Sequence, residues 1–203
     1  MHDPRVKVGV GIGFAVSTYG ADHMTAAHDP MFTDENSSMF KSVKPLGIYN
    51  PMPATEITNE KVRGYMQLEK LWRMMDALGL CVFGYAPRGV MPLDIMVQSL
   101  NAVTGWNASL YELLKAAERG SMLARAFNSR DGFSIKDDRL PARLFDPKPD
   151  GPESGKKIFE EEDFNKAIAL YYEMINCDPE TGRPRRGKLL ELGLDWVEEM
   201  LDQ

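Results

Sequence analysis

Four stretches of the chain place apolar residues at helical spacing, with charged residues between them. In the clearest stretch, which starts at Glu60, the apolar residues recur every three or four positions: Leu68, Leu71, Trp72, Met75 and Leu78. This spacing lines one face of an α-helix, and Gly79 is suited to ending that helix. Two further helices are predicted over residues 93–103 and from Ser109, where Ser109 and Glu112 form a capping-box pattern. A fourth carries the stripe Phe164, Ala167, Ile168, Tyr171 and Ile175.

The N-terminal segment, residues 6–17, is mostly small and apolar, which predicts burial as a helix or a strand. Its glycines, Gly9, Gly11 and Gly13, form a Gly-x-Gly-x-Gly pattern. A dinucleotide fingerprint needs a preceding strand, and the leader is too short to hold one. We therefore expect these glycines to allow another element to approach closely.

Two long segments, residues 29–59 and 131–157, are rich in proline or glycine and lack helical periodicity. The composition of residues 131–157 predicts a loop that wraps around the domain and is not part of its core. No stretch alternates apolar and polar residues between hairpin turns, as half-buried strands do. The sequence thus predicts an all-α fold: one irregular multi-helix domain with long connecting loops, over residues 1–203.

Charge and composition exclude several classes of protein. The net charge of -6 argues against a nucleic-acid partner, which would need basic patches. No apolar run is long enough to span a membrane, and no signal peptide is visible. The two cysteines do not make a disulfide framework, so a reducing, cytoplasmic setting is expected.

The segment Asp76-Ala77-Leu78-Gly79-Leu80-Cys81 puts a carboxylate and a cysteine at the end of the predicted helix. An isolated cysteine is most often a small buried hydrophobic residue. A thiolate is also the usual ligand of an iron–sulfur cluster, and Cys81 could be the last ligand of a cluster held mainly elsewhere. Cys177 is 96 positions away, without ligand-like spacing. His23 is either an ordinary loop histidine or a proton shuttle.

Four stretches, in order, resemble tungsten-containing aldehyde ferredoxin oxidoreductases. The Asp76-x-x-Gly79-Leu80-Cys81 segment resembles the pterin-and-cluster motif in the last third of that family. The other three are the glycine-rich entry that ends in Ala15-Val-Ser-Thr-Tyr-Gly-Ala-Asp-His23, the loop Phe127-Asn-Ser-Arg-Asp-Gly-Phe-Ser-Ile-Lys-Asp-Asp-Arg-Leu-Pro-Ala-Arg143, and a closing segment with Tyr171-Tyr172, Thr181-Gly-Arg-Pro184 and Leu192-Gly-Leu194. The resemblance covers nearly the whole chain.

The resemblance implies a tungsten (or molybdenum) ion held by two pterins, beside a 4Fe-4S cluster. An aldehyde would be oxidised to a carboxylate, with electrons passing through the cluster to ferredoxin. Asp76, Leu80 and Val82 would contact pterin, the latter two through backbone groups, and Cys81 would be the fourth cluster ligand. His23 would lie near the metal and move a proton. Homodimers are plausible on the same ground.

The chain departs from the family pattern in two ways. Tyr19 and Thr25 stand where basic residues are expected to meet the pterin or its phosphate. The cofactor-cradling N-terminal domain and the middle domain's Cys-x-x-Cys-x-x-x-Cys group are not in this sequence. We therefore expect a fragment or C-terminal third of a longer enzyme, inactive alone. A natural subunit of a split enzyme and a cofactor-free helical interaction domain are the alternatives.

Overall fold

The computed structural model describes residues 2–24 and 26–201, which fold as a set of α-helices joined by long loops and short 3₁₀ turns. No strand forms in this part of the chain, so the predicted all-α class is confirmed. The helices are α1 (Val8–Val16), α2 (Ser38–Ser42), α3 (Asn59–Ala77), α4 (Leu93–Thr104), α5 (Leu110–Arg130), α6 (Glu161–Met174), α7 (Arg186–Glu191) and α8 (Glu198–Leu201).

The four helices predicted from apolar spacing correspond to α3, α4, α5 and α6, and local capping explains several of their ends. The Thr58 hydroxyl accepts a hydrogen bond from the Lys61 N–H at the start of α3. Ser109 and Glu112 form a complete capping box at the start of α5. Gly105 ends α4 in the left-handed conformation, with φ 73°, which costs glycine little.

The glycine-rich helix α1 is buried along its whole length. Its first turn is closed by Asp29, whose carboxylate accepts hydrogen bonds from the N–H groups of Gly9 (2.9 Å) and Val10 (3.1 Å). A Cβ atom at Gly9 would lie 2.9 Å from that carboxylate, and one at Gly13 would lie 3.0 Å from the Tyr65 ring. The expectation that the glycines allow close approach is therefore confirmed.

Helix α3 is central because it packs against α1, α5 and α6. It divides the buried side chains into two groups. One lies between α1, α6 and the C-terminal segment, and the other lies between α3, α4 and the loop of residues 29–52. Met66, Met74 and Met75 are buried in these groups.

The expectation that residues 131–157 stay out of the core is wrong in one respect. Leu140 and Phe145 are both buried, and the Phe145 ring packs edge-on against Phe159 and Phe164. Isolated apolar residues in an irregular segment have no periodicity that would reveal burial. In the part of the chain described, no helix has the length and apolar character needed to cross a bilayer.

Candidate cofactor site

The C-terminal end of α3 and the turn after it hold four of the five predicted site residues. Gly79, with φ 66°, ends the helix. The Leu80 N–H donates to the Met75 carbonyl (2.8 Å) and the Gly79 N–H to the Asp76 carbonyl (3.1 Å). This pair of hydrogen bonds is a Schellman motif, which fixes the direction in which the chain leaves the helix. The Schellman motif thus lies between Asp76, in the last turn of α3, and Cys81, in the segment that follows it.

The polar groups of this turn point outward. The Asp76 side chain is 51% exposed, and Cys81 is exposed. Among the described residues, no hydrogen bond engages the N–H or the carbonyl of Val82, or the carbonyl of Leu80. The Leu80 N–H is already used in ending the helix. Val82 thus offers a backbone donor and acceptor, whereas Leu80 offers an acceptor only.

The two cysteines occupy different environments. Cys177 is fully buried, with its sulfur 3.8 Å from that of Met122, and burial raises the pKa of its thiol to about 12. The interpretation of Cys81 as a small buried residue is wrong, because Cys81 is exposed. Within residues 2–24 and 26–201, no three histidine, cysteine or acidic side chains are placed to hold a metal ion.

The loop that carries His23 is attached to α3. The Trp72 indole N–H donates to the Met24 carbonyl (3.1 Å), and the Arg88 guanidinium lies 3.7 Å from the Met24 sulfur. The His23 side chain is 38% exposed, and its Nδ1 lies 3.8 Å from the Asp22 carboxylate. The structure therefore places His23 on a loop fixed by α3, the same helix that carries Asp76 in its last turn.

All three histidines of the chain lie together, which their separation in the sequence does not reveal. The His23 ring centroid is 5.1 Å from that of His2 and 6.1 Å from that of His28. His28 Nε2 lies 2.8 Å from the His23 carbonyl oxygen, and the Lys7 ammonium lies 3.3 Å from His28 Nδ1. These partners favour a neutral His28 protonated on Nε2. Burial is the main cause of the lowered pKa of His28, and the Lys7 charge adds to it.

Tyr19, one of the two neutral departures, contacts a cation from α3. The Arg73 guanidinium carbon lies 4.4 Å from the centroid of the Tyr19 ring, and Arg73 Nη1 donates to the Tyr19 hydroxyl. The same nitrogen is 3.4 Å from the Asp76 carboxylate. Sequence reasoning missed Arg73, although its position one helical turn before Asp76 was a usable signal. Thr25, the other departure, lies outside the described residues.

A cavity of about 280 Å³, lined by both polar and apolar groups, opens beyond Thr18 and Tyr19. Its wall includes Arg125, which donates to the Tyr172 hydroxyl (2.5 Å) and the Val16 carbonyl (2.7 Å). Asp138 accepts from that hydroxyl, and burial raises the pKa of Asp138 to about 6 despite the nearby Arg125 charge. The predicted loop of residues 127–143 in fact begins inside α5, which ends at Arg130, and its residues 128–138 form a cavity wall beside the candidate site.

Comparisons with known proteins identify a family and several related sequences. A family described as "Aldehyde ferredoxin oxidoreductase, domains 2 & 3" matches residues 1–194. The tungsten-containing aldehyde ferredoxin oxidoreductase of Pyrococcus horikoshii is 32% identical over 96% of this chain and 29% of its own length. The enzyme of the same name from Thermococcus kodakarensis is 32% identical over 95% of this chain and 29% of its own length.

A more distant relative is the "Aliphatic sulfonate oxidoreductase, WOR-like subunit" of Pyrococcus furiosus, 27% identical over 90% of this chain and 24% of its own length. The solved active-site complex BamBC of benzoyl coenzyme A reductase, with bound 1,5-dienoyl-CoA, has a TM-score of 0.55 and 25% identity, and covers 70% of this chain and 21% of its own. This chain spans under a third of the length of the curated relatives it matches. It belongs to the aldehyde ferredoxin oxidoreductase family, in the part described as domains 2 and 3.

Proposed function

We propose that this chain is the C-terminal domain of a tungstopterin enzyme that oxidises aldehydes to carboxylates. One observation carries the proposal: a single turn presents an exposed carboxylate, unpaired backbone groups and an exposed thiol. Family membership supports it, because the similar proteins are named as tungsten-containing aldehyde ferredoxin oxidoreductases.

The residues of this turn suit a pterin. A pterin ring edge carries N–H donors and a carbonyl acceptor, and a carboxylate such as Asp76 accepts from such donors. The Val82 N–H and carbonyl and the Leu80 carbonyl are available for further hydrogen bonds to the ring system. We assign Asp76, Leu80 and Val82 to pterin binding.

Cys81 is assigned as one ligand of a 4Fe-4S cluster. A thiolate is the usual ligand of iron in such clusters, and a cluster takes four. No other ligand of suitable placement accompanies Cys81 in the described part of the chain. The remaining ligands would come from other domains of the enzyme, so this chain alone is expected to be inactive.

The overall reaction sets the tasks of the protein side chains. An aldehyde and water give a carboxylate, three protons and two electrons. When bound, the metal would supply the two-electron chemistry, and the cluster would pass electrons to ferredoxin. His23 is assigned to accept a proton, because an imidazole can change charge near neutral pH. The histidine cluster holds its backbone carbonyl in place through His28.

Metal content of the full-length enzyme tests these assignments separately. In Cys81→Ser the iron content and the electron paramagnetic resonance signal of the reduced cluster should fall, because an alcohol replaces a thiolate ligand. In Asp76→Asn the tungsten content should fall while iron is retained, because one carboxylate acceptor is lost.

Cys177→Ala is the matched control, since it removes the other thiol from a buried site that faces Met122. It should leave iron and tungsten unchanged. A Cys81→Ser enzyme with full iron and an unaltered signal would show that Cys81 is not a ligand. Absence of both metals from the wild-type enzyme would favour the cofactor-free interaction domain.

A further inference from the structure

Arg73 is placed to take part in the same site as Asp76. Both belong to α3, and they are three residues apart on one face. Arg73 Nη1 lies 3.4 Å from Asp76 Oδ2. The Arg73 side chain is only 12% exposed, whereas that of Asp76 is 51% exposed. The guanidinium is therefore held against the protein beside a carboxylate that faces outward.

Tyr19 holds this guanidinium by a ring contact and a hydrogen bond. The Tyr19 ring covers one face of Arg73 at 4.4 Å, and its hydroxyl accepts from Nη1. A guanidinium stacked on an aromatic ring keeps its edge N–H groups free for planar partners. Nε and Nη2 of Arg73 have no hydrogen-bond partner among the described residues. From the family resemblance we expect a basic residue at position 19. This chain has Tyr19 there, and the cation beside it is Arg73 from α3.

Open space adjoins the two residues. Arg73 and Tyr19 line a cleft of about 170 Å³ between α3 and α5. The opposite wall consists of small side chains: Ala116, Ala117, Gly120, Ser121 and Ala124. Ala77, the neighbour of Asp76 at the end of α3, lines the same cleft, so a ligand in this cleft would contact Arg73 close to the end of α3.

We propose that Arg73 is a further cofactor-binding residue, which donates to the ring carbonyl of the pterin whose N–H groups Asp76 accepts. This inference rests on the proposed function. The 2-amino-4-oxo edge of a pterin presents an amino donor, a ring N–H donor and a carbonyl acceptor side by side. A carboxylate beside a guanidinium presents the complementary order of acceptors and donors. Asp76 and Arg73, with their facing atoms 3.4 Å apart, supply that order.

The test compares cofactor retention in variants of the full-length enzyme. Arg73→Gln should lose tungsten and pterin on dilution about ten times faster than wild type, as expected for one charge-assisted hydrogen bond. Arg73→Lys should lose them at an intermediate rate, because an ammonium donates but does not stack as a plane. Iron content should stay unchanged in both variants. Arg63→Gln, an exposed arginine on the same helix, is the matched control and should behave as wild type.

The outcomes separate this inference from the proposed function. If Asp76→Asn loses tungsten but Arg73→Gln retains it, Arg73 is not a ligand and the proposed function stands. If neither variant loses tungsten, the assignment of this turn to the pterin is wrong. If Arg73→Gln and Arg73→Lys lose iron and tungsten together, with a lowered melting temperature, Arg73 has a structural role only and the inference is overturned.

Discussion

At the scale of single residues, the two cysteines show how position decides chemistry. Cys81 follows a helix end and is exposed, whereas Cys177 is buried against Met122. A thiol reacts as its thiolate. Burial raises the pKa of Cys177 to about 12, so almost none of it is ionised near neutral pH.

We predict that the isolated 203-residue chain, free of metal, has one fast-reacting thiol. A disulfide reagent such as 5,5′-dithiobis(2-nitrobenzoate), used at a mildly alkaline pH, should release one equivalent of chromophore quickly and a second only after denaturant is added. Cys81→Ser should abolish the fast phase, and Cys177→Ala should leave it intact. Two fast equivalents from the folded chain would contradict the burial of Cys177.

Gly79 is a second residue whose role follows from its backbone. Its φ of 66° lies in the left-handed region, with open space around the position of a Cβ atom. We predict that Gly79→Ala lowers the free energy of unfolding by about 1–2 kcal/mol, because only glycine adopts this conformation without cost. Chemical denaturation of the isolated chain would measure the change.

Gly120→Ala is the matched control for Gly79→Ala. Gly120 lies inside α5 and also has open space where a methyl group would be added, but its backbone is that of an ordinary helix. This change should raise the free energy of unfolding by up to about 1 kcal/mol, because alanine favours helix. Equal effects of the two changes would contradict the left-handed assignment of Gly79.

Some of these residue-scale features can be predicted from the sequence and others cannot. Gly79 is predictable as a helix end because glycine after an apolar stripe has one common use. The exposure of Cys81 is not predictable in this way, because it depends on how the turn leaves α3. The contact between Tyr19 and Arg73 joins residues 54 positions apart, and no local pattern indicates it.

At the scale of elements, α1 is held by a buried ion pair. Asp29 closes its first turn and also binds the Lys61 ammonium from α3, with both side chains at most 3% exposed. Lys61 additionally donates to the Pro53 carbonyl (2.5 Å). Three separate segments therefore meet at one carboxylate. Periodicity predicts α3 and α5, but it does not predict this junction, which depends on a loop residue.

We predict that Lys61→Met lowers the free energy of unfolding by about 3–5 kcal/mol, because it leaves the Asp29 charge buried without its partner. The exposed lysine Lys41 lies on α2, and Lys41→Met is the control with little expected effect. Thermal melting followed by circular dichroism measures both. A Lys61→Met chain that melts like the control would show that the ion pair does not stabilise the fold.

At the scale of the whole molecule, Glu118 links three helices. Its carboxylate on α5 lies 2.9 Å from the Lys188 ammonium of α7, 3.4 Å from that of Lys70 on α3, and 2.8 Å from that of Lys115. Burial alone raises the pKa of Glu118, but hydrogen bonds from Lys115 and Lys188 and the charge of Lys70 together lower it to about 2. The sequence does not predict this network, because it joins distant parts of the chain.

We predict that this network makes the fold sensitive to acid. A carboxyl whose pKa is lower in the folded than in the unfolded chain stabilises above its ordinary pKa of 4.5 and loses that contribution as the pH falls toward 2. The loss should be on the order of 3 kcal/mol. The free energy of unfolding can be measured in urea at a series of pH values, from near neutral down through this range. It should fall more steeply with pH for wild type than for Glu118→Gln. Glu173→Gln, an exposed change on α6, should keep the wild-type slope.

The hydrogen bonds between α3 and the loop of residues 17–24 determine how this part of the protein unfolds on heating. Trp72 holds the Met24 carbonyl and Arg73 holds Tyr19, both close to Asp76 along the helix. The last turns of α3 therefore cannot unwind without releasing the loop that carries His23. The hydrogen-bonded amides of that loop, at Ser17, Gly20 and Met24, and those of the helix end should show a common opening free energy in hydrogen exchange. The proton transfer proposed for His23 and the cofactor binding proposed for Asp76 would then be lost in one event.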